Sequence, residues 1–187
     1  KLSDPFLEAL AGGGMQVGEL AKCYFPGGVE VEALANEEAC KQTEELLRQE
    51  NVTVFEAAIR YEDYLIRVDV LEKIGNRFRL IEVKAKSWDP NEDDFLSSKG
   101  VIISDWREYL EDVAFQKMVL SRAFPRGKIG GYLMLVGSGT HGDVWYMDKP
   151  CVCAEVDVES ASYRGTQEDH FVDCIKSIEG SFNERLK

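Results

Sequence analysis

The chain has 187 residues, 44% of them hydrophobic and 30% charged, which suits one soluble globular domain and excludes a disordered or low-complexity chain. With 22 Lys and Arg against 34 Asp and Glu the net charge is −12, which argues against a protein that coats polyanions but leaves room for a nucleic-acid enzyme holding a divalent cation in an acidic site. The apolar runs are too short for a membrane span, and the five cysteines, Cys23, Cys40, Cys151, Cys153 and Cys174, form no CxxC pair, so no iron–sulfur cluster or zinc site is expected and reduced cytoplasmic thiols are.

Residues 4 to about 23 are expected to be helical, with an interruption at Gly12-Gly13-Gly14, and "YFPGG" makes a turn. A helix is predicted over 33–50, its apolar side carried by Leu34, Cys40, Thr43, Leu46 and Leu47. Three strands follow at about 52–60, 64–73 and 77–86. Residues 87–104 read as a loop, and Asp105 is a candidate cap for a helix to about Phe124, with Trp106, Tyr109, Leu110, Val113 and Leu120 on its buried side. "KIGGYLMLV" is a buried strand, "VWYM" another, and the tail from about Ala161 is helical. Three strands joined by short turns form an antiparallel meander, and a helix before the fourth strand makes a crossover. The expected fold is α/β (α+β), an αβββαβ core with a mixed central sheet flanked by helices, in a single domain over 1–187. Lys1 in place of a start methionine makes further domains of a longer parent chain the expectation.

Within "RVDVLEKIGNRFRLIEVKAK" the register can be counted. Gly75-Asn76 is a good two-residue hairpin loop, so Ile74 pairs with Arg77 and Asp69 falls opposite Glu82, with Lys84 on the same face. If Glu62-Asp63 centres the preceding turn, Glu56 falls opposite Asp69. Three carboxylates then lie abreast, opposed Cβ atoms roughly 5 Å apart, which is destabilising unless something offsets the charge. A hard divalent cation does so, and Lys84 could orient a water or neutralise a phosphoryl group. A solvated polar stripe is the competing reading, but Val54, Leu65, Leu71, Phe78 and Leu80 share that face.

An Asp thirteen positions ahead of "EVK" resembles the PD-(D/E)XK nuclease superfamily. The stretches "GMQVGELAKCYFPGG", "VFEAAIRYEDYLIRVDVLEK", "LIEVKAKS" and "YLEDVAFQKMVL", in order over about residues 14–136, resemble its RecB-like branch, near the CRISPR-associated RecB-like exonucleases. The resemblance implies a DNA-hydrolysing enzyme using one or two Mg²⁺ or Mn²⁺ ions. Asp69, Glu82 and the Val83 carbonyl would be metal ligands, with Glu19 on the early helix and Glu56 as further acids. Lys84 would be the catalytic lysine and Gln116 would support the site. The branch's tyrosine four residues after the glutamine is Leu120 here, and its histidine before the Asp strand has no counterpart, since the chain's two histidines, His141 and His170, lie far downstream. An inactive nuclease-fold module that binds nucleic acid or protein is the alternative. Lys86, Lys99, Arg107, Lys117, Arg122, Arg126 and Lys128, with Trp88 and Trp106 beside the 87–104 loop, are the candidate contacts to a nucleic-acid strand.

Overall fold

Two tight turns set the centre of the sheet. Gly75, at φ 58°, turns the chain so that Ile74 pairs with Arg77, and Glu62, at φ 53°, does the same between Tyr61 and Tyr64. The computed structural model describes residues 5–89, 93–137, 151–153 and 166–185. In order these form α1 (Pro5–Cys23), β1 (Val29–Glu30), α2 (Asn36–Leu46), β2 (Asn51–Tyr61), β3 (Tyr64–Ile74), β4 (Arg77–Trp88), α3 (Ser104–Ala123), β5 (Lys128–Gly137), β6 (Cys151–Cys153) and α4 (Thr166–Arg185).

The six strands lie in one mixed sheet in chain order. β2, β3 and β4 form the antiparallel meander, and α3 crosses over to bring β5 parallel to β4. β1 is parallel to β2, and β6 is antiparallel to β5. One face is covered by α2, α3 and α4 through a large core containing Ala39, Val54, Leu71, Leu80, Leu110, Val113, Leu133 and Ile175. The opposite face carries a smaller cluster, in which Ala21 of α1 packs on Phe55, Val70, Ile81, Tyr132 and Met134. Among the described residues no helix is long and apolar enough to cross a membrane.

Several element boundaries differ from expectation. α1 runs through Gly12–Gly14 without a break, because glycine lowers helix propensity yet keeps its backbone N–H. α2 begins at Asn36, and Leu34 lies outside it, 96% exposed. Its buried positions are Ala39 and Thr43, with Leu47 just past its end, a clean i, i+4, i+8 stripe. The Thr43 hydroxyl donates to the Ala39 carbonyl and accepts from the Ala58 amide of β2. Ile103, not Asp105, takes the cap position of α3; Asp105 sits in the first turn, where its charge suits the helix dipole. Within the 87–104 stretch, Trp88 and Phe95 stack at 4.6 Å and both meet Trp106 edge-on. All three rings are buried, so neither tryptophan offers a face to a nucleic-acid base. The expected "VWYM" strand lies outside the described residues, and α4 is described from Thr166.

Candidate active site

The meander breaks its own alternation at one place. On β2, Val54, Ala57, Ala58 and Ile59 all join the large core while Phe55 faces α1; on a regular strand, 54 and 57 would point to opposite sides. β3 behaves likewise, with Ile66, Val68 and Leu71 in the large core and Val70 opposite. Each strand therefore spends one residue changing face, Glu56 on β2 and Asp69 on β3. Because both strands do so at the same point, the register is unchanged: Phe55 pairs with Val70 and Ala57 with Val68, and the ladder omits only Glu56 and its opposite number Asp69. Glu56 has φ 55°, a left-handed conformation that is strained for a residue with a Cβ.

This kink opens the seam between β3 and β4. Their ladder runs from Ile74–Arg77 to Val70–Ile81 and stops. The amide of Val83, left without a ladder partner on β3, donates instead to Asp69 Oδ2 at 2.7 Å. The Asp69 carboxylate thus stands in for a missing backbone acceptor.

Beyond the seam, β4 presents Glu82 and Lys84 to α3. Glu82 is buried; its Oε1 lies 2.8 Å from Lys84 Nζ and its Oε2 accepts from Gln116 Nε2 at 2.6 Å. Lys84 Nζ also donates to Asp112 Oδ2 at 3.1 Å and lies 5.6 Å from the centre of the Tyr109 ring. Gln116 Oε1 is buried with no hydrogen-bond partner among the described residues.

The electrostatics follow from this packing. Burial first, and then the charge of Glu82, push the Asp69 carboxyl from 3.8 up to about 7, with Glu56 adding in the same direction; the Val83 amide and Lys84 pull the other way. Burial pulls the Lys84 ammonium down, but the bonds and charges of Glu82 and then Asp112 outweigh it, so its pKa lies above the ordinary lysine value and it stays charged. One carboxyl is thus held near neutrality beside a permanently cationic lysine, an arrangement common where chemistry is done.

A cleft of about 830 Å³ opens between α1 and the sheet at the kink, lined by Glu19, Lys22, Glu30, Glu56, Asp69 and Val83 among others. The structure therefore brings Glu19, Glu56, Asp69 and Val83 to one cavity, and Glu82, Lys84 and Gln116 to the α3 side of the seam. The even row of Glu56, Asp69 and Glu82 on one face is corrected to this split, because the two strands change face at 56 and 69. Glu19 bonds Lys22 Nζ at 2.7 Å, and Lys22 reaches Glu30 at 2.8 Å. Glu56 Oε2 lies 3.9 Å from Arg67 Nε.

The donors available for a metal are hard oxygens, which suit Mg²⁺ or Mn²⁺. Among the described residues, no group of three or more His, Cys, Asp or Glu side chains stands ready to hold an ion. The reason is visible: Glu82 is turned toward α3 by two nitrogen donors, and Glu19 is tied to Lys22.

Several expected strand-contacting cations are engaged elsewhere. Lys117 pairs with Glu179, Arg107 with Glu111, Arg122 bonds Asn183, and Lys86 Nζ bonds the Asp105 carbonyl while lying 4.4 Å from the Trp106 ring centre. Asp112, Tyr109, Lys22 and Glu30 are site residues that motif reasoning missed. The i, i+4 spacing of Asp112 and Gln116, which puts both on one stripe of the helix, was the signal available for Asp112. No family model, no curated protein and no solved structure matches the chain.

Proposed function

We propose that the chain is a metal-dependent nuclease that hydrolyses DNA phosphodiester bonds, built on a restriction-endonuclease-like αβββαβ core of the PD-(D/E)XK, RecB-like kind and serving DNA processing or repair. The observation that carries the reading is the seam: Asp69 bonded to the Val83 amide where β3 leaves β4, with Glu82 and Lys84 next along β4. Burial and repulsion from Glu82 hold the Asp69 carboxyl at about 7, a charge problem that a divalent cation would relieve.

Asp69 and the Val83 carbonyl would hold such an ion, with Glu56 and Glu19 lining the same cleft and Glu82 acting on Asp69 across the seam. When bound, it would supply Lewis-acid stabilisation to a phosphoryl group. Lys84, kept charged by its carboxylate partners, neutralises negative charge on the phosphate or orients the attacking water. Gln116 fixes Glu82 from the α3 side. The test is cleavage of labelled single- and double-stranded DNA with Mn²⁺, Mg²⁺ or EDTA, using the chain, Lys84→Ala and Asp69→Ala. The expected result is metal-dependent cleavage lost in both variants. Cleavage that survives both substitutions refutes the assignment of the site.

A second reading, an inactive nuclease-fold module that binds nucleic acid or protein, is favoured by one feature: both Glu82 oxygens are already engaged by Lys84 and Gln116. Titration with Mn²⁺ separates the two, since such a module has no need to bind the ion.

A further inference from the structure

Strand β4 and helix α3 face each other as a ladder of side chains. Gln116 meets Glu82, Asp112 meets Lys84, and Tyr109 lies between Lys84 and Lys86, 5.6 Å and 5.5 Å from the two ammonium nitrogens. Alternate residues on the strand are matched to successive turns of the helix. Resting on the nuclease reading above, we infer that Asp112 is the positioning residue for Lys84, the anchor that keeps the lysine in place when Glu82 turns its charge toward a cation.

Glu82 faces two demands. It is the 2.8 Å partner of Lys84 and also the carboxylate whose charge acts on Asp69 across the seam. A cation that draws Glu82 away removes one of the two anions holding Lys84. Asp112 is the other, at 3.1 Å, and it comes from α3 rather than from the sheet that carries Asp69 and Glu82. The Tyr109 ring bounds the ammonium on a further side. Asp112 itself is about half exposed, with its side chain 48% accessible, so its ion pair adds little to stability. Its contribution is the direction in which Lys84 points.

The experiment compares Asp112→Asn, Asp112→Glu, Lys84→Ala and the Asp112→Asn/Lys84→Ala double variant in Mn²⁺-dependent cleavage of a labelled oligonucleotide. Asp112→Asn is expected to lower kcat about tenfold with KM changed less than about twofold, because the interaction serves the reacting centre and not ground-state binding. Asp112→Glu restores most of the loss. In the Lys84→Ala background Asp112→Asn costs nothing further, since the group it positions is gone. The urea midpoint of Asp112→Asn stays at that of the unaltered chain. Undiminished kcat in Asp112→Asn, or an equal loss with and without Lys84, overturns the inference while leaving the nuclease reading intact. No cleavage by the unaltered chain with either metal overturns the nuclease reading and this inference with it.

Discussion

Replacing Asp69 with Asn should make the metal-free protein more stable at pH 8, although Asp69 is the residue most central to the proposed chemistry. The folded protein holds this carboxyl at about 7 against 3.8 ordinarily. The folded state therefore binds the proton more tightly than the unfolded chain does. The stability due to this group is fully present below about pH 4 and is lost as pH rises through 7. Each tenfold change in proton affinity is worth about 1.4 kcal/mol, so ionising Asp69 in place costs at most about 4 kcal/mol at pH 8. Asn removes that charge and still offers a carbonyl oxygen to the Val83 amide. Allowing for relaxation around the ionised group, Asp69→Asn should gain about 2 kcal/mol at pH 8 and less than about 1 kcal/mol at pH 4. The assay is urea unfolding followed by circular dichroism, in EDTA, at both pH values. Adding Mn²⁺ at about a hundred times its Kd should then stabilise the unaltered chain by about 2.7 kcal/mol and leave the Asn variant unmoved. An Asn variant no more stable than the parent at pH 8, with the same pH dependence, would refute the argument that burial and Glu82 crowd this carboxyl.

Glu56→Gly should raise stability by about 1 kcal/mol at pH 8, because glycine tolerates φ 55° and removes a charge facing Asp69. Glu56→Ala, which keeps the Cβ, should gain less, and the difference in urea midpoints between the two variants reads the backbone strain directly. Gln116→Leu leaves Glu82 Oε2 buried without its 2.6 Å donor and should cost about 1–3 kcal/mol, measured by the same unfolding assay.

The central meander was legible because its signals are local. Gly75-Asn76 fixes one hairpin, and the residue count from it gives every β3–β4 pair from Ile74–Arg77 to Val70–Ile81. The Glu62-Asp63 turn was legible by the same counting, although Glu62 adopts its left-handed conformation without a glycine. The crossover to a parallel β5 followed from placing a helix between strands. Element ends were read less well: Leu34 fits a helical stripe on paper but is solvent-exposed, since only packing decides where a stripe stops. Trp88 and Trp106 looked like stacking residues beside a polar loop, yet they pack with Phe95 into the core.

The sequence by itself determined which acids stand near one another. Strand register is set by turn geometry and chain length, and the counted pairing holds on both sides of Glu56 between β2 and β3 and from Ile74–Arg77 to Val70–Ile81 between β3 and β4, while the Glu56–Asp69 and Asp69–Glu82 positions themselves drop out of the ladders. What only the tertiary structure decided is where those acids point. A period-two pattern assumes that alternation continues, and a paired change of face leaves the residue count untouched, so nothing in the register betrays it. The kink at Glu56 and Asp69 sends Asp69 to the β3–β4 seam and the cleft beside α1, while Glu82 and Lys84 stay with α3. Asp112 entered the site for a related reason. It is 28 residues from Lys84 in the chain, and only the packing of α3 across β4 brings the two charges within 3.1 Å.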